Sequence, residues 1–370
     1  MSLVHSVPTQ RPSLATIAAL TLTFALPLTT PAAMAATAAE PAVYFVSPTG
    51  NDLNSGGYWD LPLRTVQKAL DLAQPGDEII LAPGEYAQDF HTVRDGQAGA
   101  PIRISGTSTS RIKGAGKSHI IDINHSYIEL SNLEINGQAG TTGTASDYRD
   151  ILVYVKGLTA PQGVTGIKID NVIFKNAGGE CLRMKYFAHH NEISHSRFYN
   201  CGVWAFKYLT GGKNGEAIYI GTAPEQLASN PTPQSDASNN NWIHNNYFDT
   251  QGNECVDIKE GASYNTAEHN WCTGQKDPES GGMSSRGSNN LFAFNMIYSN
   301  AGVGIRLGGD TASDGIHNQV IGNTLKNNAV GSMRIMTAPQ DAICGNRVTP
   351  VSSPVSGTHG SEYNPQSPCP

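Results

Sequence analysis

The sequence predicts an all-β chain wound as a right-handed parallel β-helix, a solenoid of stacked coils with a short N-terminal capping helix. Three observations predict it. From about Ile102 onward, short β-branched or apolar triplets separated by Asn and Gly recur at intervals of roughly 20 to 25 residues, the period of stacked strand-turn-strand units. No helix of useful length fits that region. Finally, Gly179-Glu180-Cys181-Leu182-Arg183-Met184-Lys185 lies over Asn253-Glu254-Cys255-Val256-Asp257-Ile258-Lys259 with Glu, Cys and Lys coincident, and Gly215-Glu216-Ala217-Ile218-Tyr219-Ile220-Gly221 is a weaker third copy.

The elements follow in order. Residues 1–35 read as a secretory signal peptide: Arg11 precedes an apolar run, Leu14 to Leu28, and a small-residue stretch ends at Ala33-Met34-Ala35, with cleavage near Ala35 or Ala36. The run is interrupted by Thr and Pro and is shorter than the ~20 residues of a membrane span. The chain is therefore expected to be secreted and extracellular, with residues 36–370 forming one β-helix domain and a C-terminal tail. Tyr44 to Pro48 reads as a strand, and Thr65 to Ala73 as a short amphipathic helix with Val66, Ala69, Leu70 and Ala73 on one face. Gln74-Pro75-Gly76-Asp77 breaks the helix, and Glu78 to Ala82 forms the next strand. A helix at this place can cover the open end of a stacked sheet.

Composition suits such a body. Only 15% of residues are charged and 39 are Gly, and Asn is abundant, as expected of a chain that turns often and displays hydrogen-bonding side chains. The net charge of −7 argues against a nucleic-acid partner, which needs a basic surface. No later segment is apolar enough to suggest a membrane partner, and the chain is expected to act as a monomer. A polyanionic sugar stays open, because a local basic cleft or a bound cation can reverse the field.

Six cysteines in an exported chain imply disulfides. Cys201 and Cys272 each follow an aromatic-containing segment at similar distances from Cys181 and Cys255, which suggests neighbour pairing: Cys181–Cys201, Cys255–Cys272 and Cys344–Cys369. The last would tie down a Pro- and Ser-rich tail. Two stretches, Ala223 to Asn240 and Thr273 to Gly282, depart from the repeat and flank the Glu254 to Lys259 strand, where a binding site is expected.

Strand alternation that turns Leu182, Met184, Val256 and Ile258 inward sends Arg183, Lys185, Asp257 and Lys259 toward solvent on one sheet. The next coils add Arg286, within Met283 to Gly287, and Arg306, within Gly304 to Asp310. Such a set suits β-elimination next to a uronic acid. That reaction removes a weakly acidic proton at C5, and it needs a neutralised carboxylate, a base of depressed pKa and a donor for the leaving oxygen. Lysine can be that base, and oxygen ligands can hold a divalent cation that neutralises the carboxylate. His244 and His269, one coil apart, are further candidates for the substrate-binding surface, with Lys185 and Arg183. A glycoside hydrolase using Asp257 with Glu254 or Asp310, and a non-catalytic carbohydrate-binding solenoid, are the alternatives.

At these residues, over roughly Asn245 to Asn323, the sequence resembles the family-six polysaccharide lyases, the alginate lyase and chondroitinase B group. The shared features are a Glu five residues before a Lys, an Arg in the next coil and then a Gly-Ile-Arg segment. The resemblance implies an acidic polysaccharide as substrate, with Lys259 as Brønsted base, Arg286 as catalytic arginine, Glu254 as a calcium ligand and Arg306 as a substrate-binding arginine. Two positions depart from the family's pattern. Gly252 stands where the family has another acidic ligand, and Glu260 stands where the Lys is usually followed by Ser. Strand geometry offers Asp257 and Glu216 to complete a Ca2+ site with Glu254.

Overall fold

The computed structural model describes residues 40–208 and 215–370, and the signal-peptide stretch 1–35 lies outside the described residues. Short parallel strands stack into one eleven-stranded and two ten-stranded sheets, so that each coil contributes one strand to each face of a three-sided prism. Pairing is parallel throughout the three sheets, and a two-stranded parallel pair, Val164–Thr165 with Ala188–His189, lies beside them. Residues Pro41–Pro370 form one compact unit.

The winding begins earlier than the triplet pattern suggests. Val43–Val46 pairs with Glu78–Leu81, which pairs with Ile102–Ser105, so the first sheet is already under way before Ile102. Helix Val66–Leu72 starts at Thr65, whose side chain accepts a hydrogen bond from the Lys68 amide, and it buries Val66, Ala69 and Leu70.

The interior is a column of like residues. Phe174, Phe198 and Phe248 stack ring on ring, with centroids 4.5 and 4.8 Å apart, and Ile, Leu and Val fill the remaining levels. The three disulfides join the expected neighbours, Cys181–Cys201, Cys255–Cys272 and Cys344–Cys369. The last of these holds the C-terminal segment, whose Ser367 and Pro365 carbonyls accept from the Gly345 and Asn346 amides.

Asparagine does something other than display itself. One group sits at the bends between sheets with positive φ, as at Asn171, Asn200 and Asn245, a conformation that Asn tolerates better than most residues. A second group is buried in ladders. Asn246, Asn270, Asn295, Asn323 and Asn346 each pass a side-chain hydrogen bond to the next at 2.9–3.1 Å, and Asn241, Asn265 and Asn290 form a parallel ladder. The ladders satisfy the backbone amides that the turns would otherwise leave buried and unpaired.

Candidate active site

The sheet that begins at Phe90–His91 carries the charged side chains. In its register Leu182 aligns with Ile218 and Val256, which stacks Glu180, Glu216 and Glu254 as the repeat implied. Its outward row runs Tyr154, Arg183, Tyr219, Asp257, Ser284, Arg306. Leu182, Met184, Val256 and Ile258 do face the core.

The charged partners do not face open solvent, which corrects the sequence expectation. Asp257, Lys259 and Lys185 are buried, and Arg183 is half-buried, because neighbouring polar side chains and the two irregular stretches wall the sheet face. The segment Thr273 to Gly282 contributes Asp277, Glu279 and Ser280 to a cleft of about 240 Å³ that Glu216, Glu254, Asp257, Lys259, Arg286 and Arg306 also line.

Glu216, Glu254 and Asp257 each place a carboxylate oxygen within 4.8 Å of the others. Lys259 Nζ lies 3.6 Å from Glu216, is ion-paired with Asp257 and sits 4.5 Å from the centre of the Tyr219 ring. Ser280 donates to Glu254 Oε1, while Glu254 Oε2 and Asp257 Oδ1 are buried with no hydrogen bond. Burial, reinforced by the neighbouring acids, pushes Glu254 up to about 8 and Glu216 up to about 7. Three buried carboxyls crowded around one ammonium are thus held partly protonated near neutral pH. Two orphaned oxygens and a closely spaced acidic triad suit a hard cation with oxygen ligands.

Lys259 departs from expectation. Burial works to lower its pKa, but Asp257, Glu216 and the other acids outweigh it and hold the ammonium well above the usual lysine range. Arg286, on the coil after Lys259, is clamped by Glu260, 2.5 Å from its Nε, and by Asp310. Glu260 therefore orients the arginine. Arg306 lines the cleft with no ion pair among the described residues. At Gly252 a side chain would meet the Cys201 carbonyl oxygen only 1.8 Å from its Cβ, so no acidic side chain fits there; the third acid of the cluster is Glu216, from the preceding coil.

The histidines are corrected. His244 belongs to the eleven-stranded sheet, packed under Trp242 with ring centroids 3.7 Å apart and Nε2 3.2 Å from Glu192. His269 is an exposed bend residue with positive φ, stacked on Phe294. Side chains on that sheet point away from the Lys259 cleft. Conversely, Tyr219 and Ser280 escaped the sequence reading. Tyr219 was detectable as the outward residue of the third repeat copy, whereas nothing local marks Ser280.

Together these features define a parallel β-helix with a polar, partly buried cleft on one sheet. No protein-family model matches the chain, and no characterised protein matches it by sequence. Among solved structures it is similar to an alginate lyase from Paenibacillus sp. str. FPU-7 (TM-score 0.61, 20% identity, covering 77% of this chain and 92% of that one). It is also similar to the pectate lyase Pel9A (TM-score 0.57, 16% identity, 83% and 77% covered) and to a GH136 lacto-N-biosidase from Eubacterium ramulus (TM-score 0.50, 13% identity, 83% and 68% covered). At these identities the likeness establishes the fold.

Proposed function

We propose that this chain is a secreted polysaccharide lyase that cleaves a uronate-containing polysaccharide by β-elimination, with helix Val66–Leu72 capping a right-handed coil. The observation that carries the reading is one cleft holding Lys259, Arg286 and Arg306 beside the Glu216, Glu254 and Asp257 triad. The alginate and pectate lyases among its structural neighbours support it.

In this reading Lys259 takes the C5 proton, the C4–oxygen bond breaks, a C4–C5 double bond forms and the leaving oxygen takes a proton from solvent water. Arg286, already fixed by Glu260 and Asp310, stabilises the charge that develops on the carboxylate, and Arg306 binds an acidic group of the sugar. Glu216, Glu254 and Asp257 would hold Ca2+, which when bound neutralises the substrate carboxylate and so acidifies C5–H. Lys259 acts as a base only when Asp257 and Glu216 are engaged elsewhere, since both now stabilise its ammonium form. Burial is then the influence that lowers its pKa.

Hydrolysis fits less well. The three carboxylates gather around the Lys259 ammonium in a cluster that suits a hard cation. Asp310 is committed to Arg286. The test is ultraviolet absorbance of unsaturated product from alginate, pectate, glucuronan and glycosaminoglycans. Lys259→Ala is expected to lower turnover by about 10²–10⁴-fold and Arg286→Ala by about 10²–10³-fold. Silence of the wild type on every uronate, or an unaffected Lys259→Ala, overturns the reading; a wild type that binds these polymers without turnover would leave a carbohydrate-binding solenoid.

A further inference from the structure

A larger cleft of about 780 Å³ lies on the same sheet toward the N-terminus, lined by Tyr154, Lys156, Arg183, Lys185, Gln226 and Ser229 among others. It is a copy of the Lys259 site in which a base replaces one of the acids. Lys185 takes the place of Lys259 in the repeat, but Arg183 stands where the other copy has Asp257. Lys185 is 3% exposed, and its ammonium touches only neutral oxygens, Gln226 Oε1 at 3.3 Å and Ser229 Oγ at 3.5 Å. No carboxylate reaches ion-pairing distance of it among the described residues.

Lys156 is the direct cross-strand partner of Lys185. Like charges directly opposite each other repel, and a buried ammonium without a counter-ion is costly, so Lys185, with Lys156 beside it, favours a bound anion. The nearby acids do not meet the need. Asp236 is engaged by the Tyr186 and Phe187 amides and by the Thr222 and Ser238 hydroxyls, Glu180 is committed to Arg183, burial pushes the Asp150 carboxyl up toward its neutral form, and Glu225 is exposed. Burial, with Arg183 and Lys156, correspondingly lowers Lys185 to about 8.

The wall comes from the irregular stretch Ala223 to Asn240. The 3₁₀ turn Pro224–Ser229 supplies Gln226 and Ser229. Its stretch is anchored by buried Asp236, which accepts from the Tyr186 and Phe187 amides, from Thr222 and from Ser238. One ring lies between the two sites: Arg183 and Lys259 both sit over Tyr219, at 4.9 and 4.5 Å. Their lysines are two strands apart, roughly 10 Å, a distance on the scale of a disaccharide.

We propose that the Lys156–Lys185 cleft is a second anion subsite, holding the carboxylate of a sugar unit about two strands along the polymer from the bond broken at Lys259. The proposal rests on the reading of the Lys259 cleft given above. It makes the substrate a run of consecutive uronates rather than a single acidic unit in a neutral chain.

The test is calorimetric binding of di- to hexasaccharides from alginate and pectate, alongside the same oligosaccharides with their carboxylates reduced to alcohols and with sulfated neutral oligosaccharides. Lys185→Met is expected to weaken uronate binding at least about tenfold, with a matching rise in KM on polymer. Lys156→Met, at a half-exposed position that tolerates truncation, is expected to do the same, and exposed Lys326→Met on another sheet to change neither. Carboxyl reduction should abolish the difference between wild type and Lys185→Met. Equal uronate affinity in wild type, Lys185→Met and Lys156→Met overturns the subsite, as does preference for the sulfated sugars. A wild type that binds uronates through Lys185 without eliminating them sinks the lyase reading and leaves the subsite standing.

Discussion

At the scale of single residues the acidic triad has a signature that activity assays do not show. Glu254 and Glu216 are raised from the ordinary 4.5 to about 8 and about 7, chiefly by burial. A carboxyl whose folded pKa lies above its unfolded value binds more protons in the native state across that interval. The stability these two carboxyls contribute is therefore fully present below about 4.5 and is lost as pH rises through about 7 to 8. We expect the melting temperature in chelator to drop between about pH 5 and pH 8, and Glu254→Gln to flatten that slope. Calcium should restore more stability at pH 8 than at pH 5, because only deprotonated ligands hold it. A slope unchanged in Glu254→Gln would mean the triad is not the source. Lys259 does not blur this window, since its raised pKa matters only above the ordinary lysine range.

At the scale of elements, stability is concentrated in the repeated contacts. Asn270 is fully buried: its amide donates to Ile243 and Asn295, and its carbonyl oxygen accepts from Asn246. Asn270→Ala should cost about 1–3 kcal/mol for each polar group it strands, read as a lower urea midpoint. An unchanged midpoint would contradict the ladder account. Asp236→Ala, by contrast, releases the wall of the Lys185 cleft from the positive-φ pair Tyr186 and Phe187, and limited proteolysis should then cut within Ala223 to Asn240 while the coils stay intact. The coils themselves were legible in the sequence because a strand repeats its in-out pattern with period two, and Glu-Cys-x-x-x-Lys survives in two copies. What stayed hidden was long-range. Whether Asn246 sits in a bend or in a ladder depends on its neighbour one coil away, and the burial of Lys259 depends on side chains supplied by Thr273 to Gly282. The histidines misled for the same reason: their spacing gave a shared surface but not which of three faces it lies on.

At the scale of the whole molecule, a three-sided solenoid lets adjacent coils present a linear array of side chains at a fixed pitch, which suits a linear polymer lying along one face. The Lys156–Lys185 cleft, Tyr219, the Glu216–Glu254–Asp257 triad and Arg306 form one track on one sheet. Elimination at Lys259 is the central claim, and the most direct measurement of it is mass spectrometry of oligosaccharides released from a uronate polymer in water enriched in heavy oxygen. The account predicts products whose new non-reducing end is unsaturated, whose new reducing end carries no solvent oxygen, and which vanish with Lys259→Ala. Saturated products that carry the heavy label would contradict it and identify the cleft as that of a hydrolase.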